Sequence, residues 1–146
     1  MHGGLDSTRL VCCDNKNDNV MNYWRYVWAG PPTLLGLTLA TLALGGGRMR
    51  IVAGVFEAHG PWLRWLLTTC VPLAGGAAAI TFGHVVLGQD EHALNRTRAH
   101  ERVHVRQYER WGVLFLPAYA AASLLAVLSG GHYYFDNVFE REASAK

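Results

Sequence analysis

The chain has 146 residues, 51% hydrophobic and 16% charged, with a net charge of +2. That length suits one domain and not two. The balance is more apolar than a soluble domain usually carries, so a membrane enters the reading, and the small net charge gives a nucleic-acid partner no footing.

Residues 1–20 are polar and lack hydrophobic periodicity, and they read as a disordered leader. No basic segment there runs into an apolar core, as a secretory signal requires. A single membrane-associated domain is expected over 21–146. Cys12, Cys13 and Cys70 form neither a C-x-x-C clip nor an even disulfide set. Tyr26 to Gly47 is uncharged, and roughly 20 apolar residues cross a hydrocarbon core, so a transmembrane helix is expected over 27–47. Trp24 and Trp28 stand where an interfacial aromatic belt belongs.

A small β region is expected over 49–88. Arg50–Ala53 and Val55–Ala58 read as two short strands around Gly54. Pro61–Leu67 reads as a short amphipathic helix suited to an interface. Residues 65–89 carry no Asp, Glu, Lys or Arg, and hydropathy alone makes them a second span. Gly75, Gly76, Gly83 and Gly88 argue against a span. The pieces Ile80–Phe82 and Val85–Leu87 around Gly83 and His84 favour a second small antiparallel hairpin.

Asp90 and Glu91 mark a helix entry. From Asn95 to Trp111 there is no Pro or Gly, and the spacing predicts a continuous helix. Its arginines at 96, 98, 102, 106 and 110 spread around the axis with Glu101 and Glu109 between them, which suits a solvated, ion-paired helix better than a nucleic-acid groove. Val113–Ser129 is a third apolar stretch. It reads as a separate helix after a bend at Gly112, with Pro117 in its first turn and Gly130-Gly131 as its stop. The expected fold is α+β: the 95–111 helix, a packed helical hairpin, small antiparallel β hairpins and one N-terminal transmembrane helix.

The chemistry sits at His100-Glu101-Arg102-Val103-His104, an H-E-x-x-H pattern on that helix. Positions i and i+4 share a helix face, so both imidazoles can reach one ion, and their nitrogens suit Zn²⁺. Glu101 is placed to act as base on a water at that ion. A catalytic zinc site needs a third protein ligand. Glu140, in the helix-compatible segment Asn137–Ala145, is the expected one, with Glu142 as the alternative. The histidines precede the apolar stretch 113–129 and Glu140 follows it. A straight span would put the ligands on opposite sides of a bilayer. An αα-hairpin turning at Gly130-Gly131 brings them together, since about ten extended residues reach roughly 33 Å.

These residues carry a resemblance. His100-Glu101-x-x-His104 followed by Phe139-Glu140-Arg141-Glu142-Ala143 resembles the gluzincin zinc metallopeptidases, and most nearly their membrane-embedded branch that processes prenylated or misfolded membrane proteins. A Phe-Glu-x-x-Ala segment carries the third ligand there, which implies Glu140. In that branch an Asp follows the Ala; here the position is Ser144. From about Met21 onward the chain is also similar to a small uncharacterised bacterial membrane-protein family. The likeness rests on Gly83-His84-Val85-Val86-Leu87-Gly88, on Arg98 to Gly112, and on Asp136 to Ala143. Arg102 belongs to that pattern.

The expected activity is zinc-dependent peptide hydrolysis on a peptide or membrane-protein substrate. His100, His104 and Glu140 hold the metal, and Glu101 takes a proton from water and returns it to the leaving amine. The strand around His84 is a candidate to pair with an extended peptide. His132, Tyr133 and Tyr108 are candidates for transition-state support. A non-catalytic metal-stabilised membrane scaffold is the alternative, and haem held by His84 and His104 is a third reading. Arginines are more numerous over 48–110 than before residue 27, which places the main domain on the cytoplasmic side of the inner membrane.

Overall fold

In the computed structural model, residues 27–145 are described apart from 72 and 74. The expected leader, the domain start at Met21, Trp24 and the Cys12-Cys13 pair lie outside the described residues. Pro31 and Pro32 open helix α1, Gly30–Ala40, where a missing N–H costs nothing. A 3-10 turn, Thr41–Leu44, extends it, and the Gly45-Gly46-Gly47 triplet follows before strand β1 begins at Arg48.

The 15 residues from Gly30 to Leu44 make a shorter apolar helix than the one expected over 27–47. At 1.5 Å per residue it reaches about 22 Å, short of a core about 30 Å thick. One stripe of it (Pro32, Gly36 and Ala40) is buried. A Cβ on Gly36 would lie 2.7 Å from Val85 Cβ, so this helix lies directly on the sheet. Hydropathy registers the apolar run but not the glycines that end it. The described helical run that is long and apolar enough to cross a membrane is Glu91–Leu128.

Four strands follow the expected positions: β1 Arg48–Val52, β2 Val55–His59, β3 Ala79–Phe82 and β4 Val85–Gly88. Both hairpins form, β1 with β2 and β3 with β4. They do not stay separate. Strands β2 and β4 pair in parallel, which gives one sheet in the order β1-β2-β4-β3. A parallel pair needs a long crossover, and helix α2, Pro61–Thr69, lies in it. Helix α2 buries Leu63 and Leu67 and leaves Trp62 and Trp65 exposed, as an amphipathic reading requires.

Strand β4 is buried along its whole length. Val85 and Leu87 join Ala40, Ala43, Ala58 and Leu63 in one core, while Val86 joins Val55, Leu94 and Val105 in another. Alternation along a strand puts these on opposite faces, so β4 is packed on both. Helix α3, Glu91–Trp111, covers the second face, and Asp90 caps it by accepting from Ala93 N at 2.7 Å.

At Gly112 the chain breaks direction with φ +56, and a Cβ there would meet the Trp28 indole at 2.3 Å. A 3-10 turn leads into helix α4, Phe115–Leu128, with Pro117 in its first turn. Helix α4 ends at Ser129, and residues 130–137 turn back through hydrogen bonds such as Gly131 N to Ala126 O. Helix α5, Val138–Ser144, then packs on α3. The helical hairpin demanded by the ligand order is therefore present.

Glu57, 2% exposed on β2, ties α3 to the sheet. Its carboxylate accepts from Arg50 Nε at 2.9 Å and from Arg98 Nε and Nη2 at 2.9 and 3.1 Å. Burial pushes this carboxyl up, but the hydrogen bonds and charges of Arg98 and Arg50 outweigh it and hold it below its ordinary value of 4.5. A group with a depressed folded pKa adds stability above its unfolded pKa and loses it as pH falls through the folded value. Glu57→Gln should therefore cost roughly 2–3 kcal/mol at pH 7, because two partly solvated arginines lose their shared charge. The difference from wild type should shrink below pH 4.5, as read by chemical denaturation across pH 3–7.

Candidate metal centre

His100 and His104 lie one turn apart on α3, and α5 brings Glu140 against both. His100 Nε2 is 3.1 Å from His104 Nε2. Glu140 Oε2 is 3.2 Å from His100 Nε2, and Glu140 Oε1 is 3.3 Å from His104 Nε2. The three residues form a group that could hold a metal ion.

The donor set fits zinc. A tetrahedral ion with bonds near 2.0–2.1 Å separates its ligand atoms by about 3.3–3.4 Å, and the three contacts here are close to that spacing. Two imidazole nitrogens facing each other also gain from a shared cation between them. Glu140 Oε2 is buried without an aligned hydrogen-bond donor, an unfavourable state that a cation would relieve. Burial pushes the Glu140 carboxyl up, but His100, His104 and the Tyr119 hydroxyl hold it well below the usual carboxylate range. It is therefore ionised, as a ligand must be.

Glu101, the next residue along the helix from His100, is buried. Thr81 Oγ1 on β3 donates to its Oε2 at 2.7 Å. Arg102, which separates the two histidines in sequence, turns away from them and reaches the β1–β2 turn, donating to the carbonyls of Val52 and Ala53.

A cavity of about 300 Å³ opens over the cluster. His100, Glu101, His104 and Glu140 line one part of it, and strand β3 lines a wall from Ala79 to Phe82. Because β3 is an edge strand, its outer side carries no strand partner among the described residues.

The other residues singled out in the sequence divide. Tyr108 and Tyr133 line the cavity. Tyr108 is 1% exposed and its ring packs edge-on against Phe115, 4.4 Å away. His132 does not line it. That exposed side chain accepts from Tyr134 N at 3.1 Å and so closes the turn between α4 and α5. Glu142 stays out of the ligand group and accepts from Gln107 Nε2 at 2.9 Å. His84 faces Glu109, with Nε2 to Oε1 at 3.2 Å, rather than pairing with His104.

Four contributors escaped the sequence reading. Thr81 holds Glu101, and Gln107 holds His104. Tyr119 donates to Glu140 Oε1 at 2.8 Å. Asn137, fully buried, caps α5 through Phe139 N at 2.9 Å and donates to Tyr119 O at 3.1 Å and Ser123 Oγ at 2.7 Å. A signal existed for Tyr119 and Ser123, since each interrupts an otherwise apolar run one turn apart.

No family model, curated protein or solved structure matches the chain.

Asn137 is the joint that aims Glu140. Asn137→Ala removes the cap and both donations and should cost about 2–3 kcal/mol in thermal or chemical unfolding. Asn137→Asp keeps the cap acceptor but turns a buried carboxylate oxygen onto the Tyr119 carbonyl and should lose at least as much. Affinity for added Zn²⁺, measured by chelator competition, should fall in both.

Proposed function

We propose that this chain is a zinc-dependent, membrane-associated peptidase of the H-E-x-x-H type. The observation that carries this reading is the convergence of His100 and His104 from α3 with Glu140 from α5, on a cavity that Glu101 also lines. Held there, Zn²⁺ supplies Lewis-acid polarisation and brings the pKa of water toward neutrality.

The protein groups do the rest. Glu101, positioned by Thr81, accepts a proton from the attacking water as its oxygen bonds to the peptide carbonyl carbon. It then delivers that proton to the amine as the C–N bond breaks, so one water is consumed and an acid and an amine are formed. Strand β3 offers the free side of a sheet edge beside the site, where an extended peptide adds as a further strand. Tyr133, on the cavity wall, is the remaining candidate to support charge on the carbonyl oxygen.

The membrane reading has its own support. Helix α4 exposes Leu124, Leu125, Val127 and Leu128, and α1 exposes Leu34, Leu35 and Leu37. A helix apolar around most of its circumference belongs in lipid. The arginine excess over 48–110 supports a cytoplasmic side for the folded domain, at the inner membrane. Membrane proteins or their exposed peptide segments are then the substrates within reach.

Purified wild type should carry one zinc per chain, lost in His100→Ala and Glu140→Ala. Glu101→Gln should retain zinc and lower hydrolysis of an unstructured protein such as casein by about 10²–10⁴-fold. If Glu101→Gln changes no activity while His104→Ala unfolds the chain, the metal is structural and the protein is a scaffold.

A further inference from the structure

Gln107 is 2% exposed, and both kinds of its polar atom are engaged. Its Nε2 donates to Glu142 Oε2 at 2.9 Å and to Phe139 O at 3.2 Å. Its Oε1 lies 2.8 Å from His104 Nδ1. A glutamine amide has one donor end and one acceptor end. A carboxylate and a backbone carbonyl only accept. Turning the amide over would set its oxygen against both of them, so the neighbours fix its orientation. Oε1 must then face His104, and His104 Nδ1 must carry the proton.

The consequence falls on the other ring nitrogen. In a neutral imidazole with Nδ1 protonated, Nε2 is the lone-pair atom, and Nε2 is the one that points at His100 and Glu140. We infer that Gln107 is a positioning residue that locks His104 in its metal-ligating tautomer, with Glu142 and the Phe139 carbonyl as its anchors. The inference rests on the metal site proposed above and gives two other features a role. Glu142 becomes the anchor of the relay instead of a ligand. The Phe139 carbonyl, beside Glu140, becomes its second anchor.

The relay also ties ligand geometry to folding. Gln107 binds the main chain of Phe139 and the side chain of Glu142, which flank Glu140 on α5. One amide thus orients a ligand on α3 and holds the element that brings the ligand from α5. Histidine ligands in metal sites commonly use such a partner, and its loss typically lowers metal affinity 10–100-fold.

The experiment uses the full chain in detergent with Zn²⁺ as the probe, and ¹⁵N-histidine NMR of the metal-free protein at alkaline pH, where the His104 ring beside Glu140 is neutral. Wild-type His104 should show the Nδ1–H tautomer. Gln107→Leu should bind zinc about 10–100-fold more weakly in chelator competition. The pair Gln107→Glu with Glu142→Gln keeps an acceptor toward His104 and moves the donor to position 142. It should recover affinity to within a few-fold of wild type, whereas Gln107→Glu alone sets two carboxylates together and should not. An Nε2–H tautomer in the wild type, or wild-type affinity in a folded Gln107→Leu, overturns the inference. If Gln107→Leu fails to fold, the wild-type tautomer decides. Wild type that shows the Nδ1–H tautomer but binds no zinc sinks the proposed function and leaves the tautomer lock standing.

Discussion

The site depends on one constraint: after helix α4 leaves α3 at Gly112, the chain must return so that α5 lies against α3. His100 and His104 come from a single helix and are brought together by its pitch alone. Glu140 is not. It arrives only because residues 130–137 fold back and Asn137 grips the carbonyl of Tyr119 and the hydroxyl of Ser123 half-way along α4. Aromatic packing reinforces the return. Phe139 meets Phe115 at 5.2 Å and Trp111 at 6.0 Å, both edge-on, so the residue before the ligand is held by the junction where α4 began.

Around that return the buried polar groups form a connected set. Thr81 serves Glu101, Gln107 serves His104, and Tyr119 serves Glu140. Each contact crosses between elements or fixes a ring, and the first two are buried, where a hydrogen bond is worth most and an unmade one costs most. The Glu57 clasp sits outside this set. By anchoring Arg98 two residues before His100, it adds to the packing of Leu94 and Val105 that holds α3 on the sheet.

Much of this was legible in the sequence because short-range signals carried it. Asp90 before a Gly- and Pro-free run gave the start of α3, glycine-flanked β-branched pieces gave all four strands, and Gly130-Gly131 gave the turn of the hairpin. The grouping of His100, His104 and Glu140 followed from helix periodicity and from the need of a metal site for a third donor. What stayed hidden is long-range. The parallel pairing of β2 with β4 leaves no local mark, so two hairpins did not read as one sheet. The N-terminal apolar run read as a full span because composition does not show that Gly36 packs on Val85 or that Gly45–Gly47 delivers the chain to β1. Glu142 and His132 looked like site residues by type. Their roles, anchoring Gln107 and closing a turn, depend on neighbours brought in by the fold.

The exposed leucines of α1 and α4 and the polar site share one small chain, so the apolar surface and the chemistry lie within a few turns of each other. That arrangement suits the proposed centre at a membrane face, which rests on two histidines and one carboxylate placed closely enough to share a single ion. X-ray absorption at the zinc edge of the purified protein reads that meeting directly. Two imidazole nitrogens at about 2.0–2.1 Å, with the remaining light-atom shell made of oxygen, is the result expected. A sulfur shell near 2.3 Å, or a spectrum unchanged by Glu140→Ala, would contradict it.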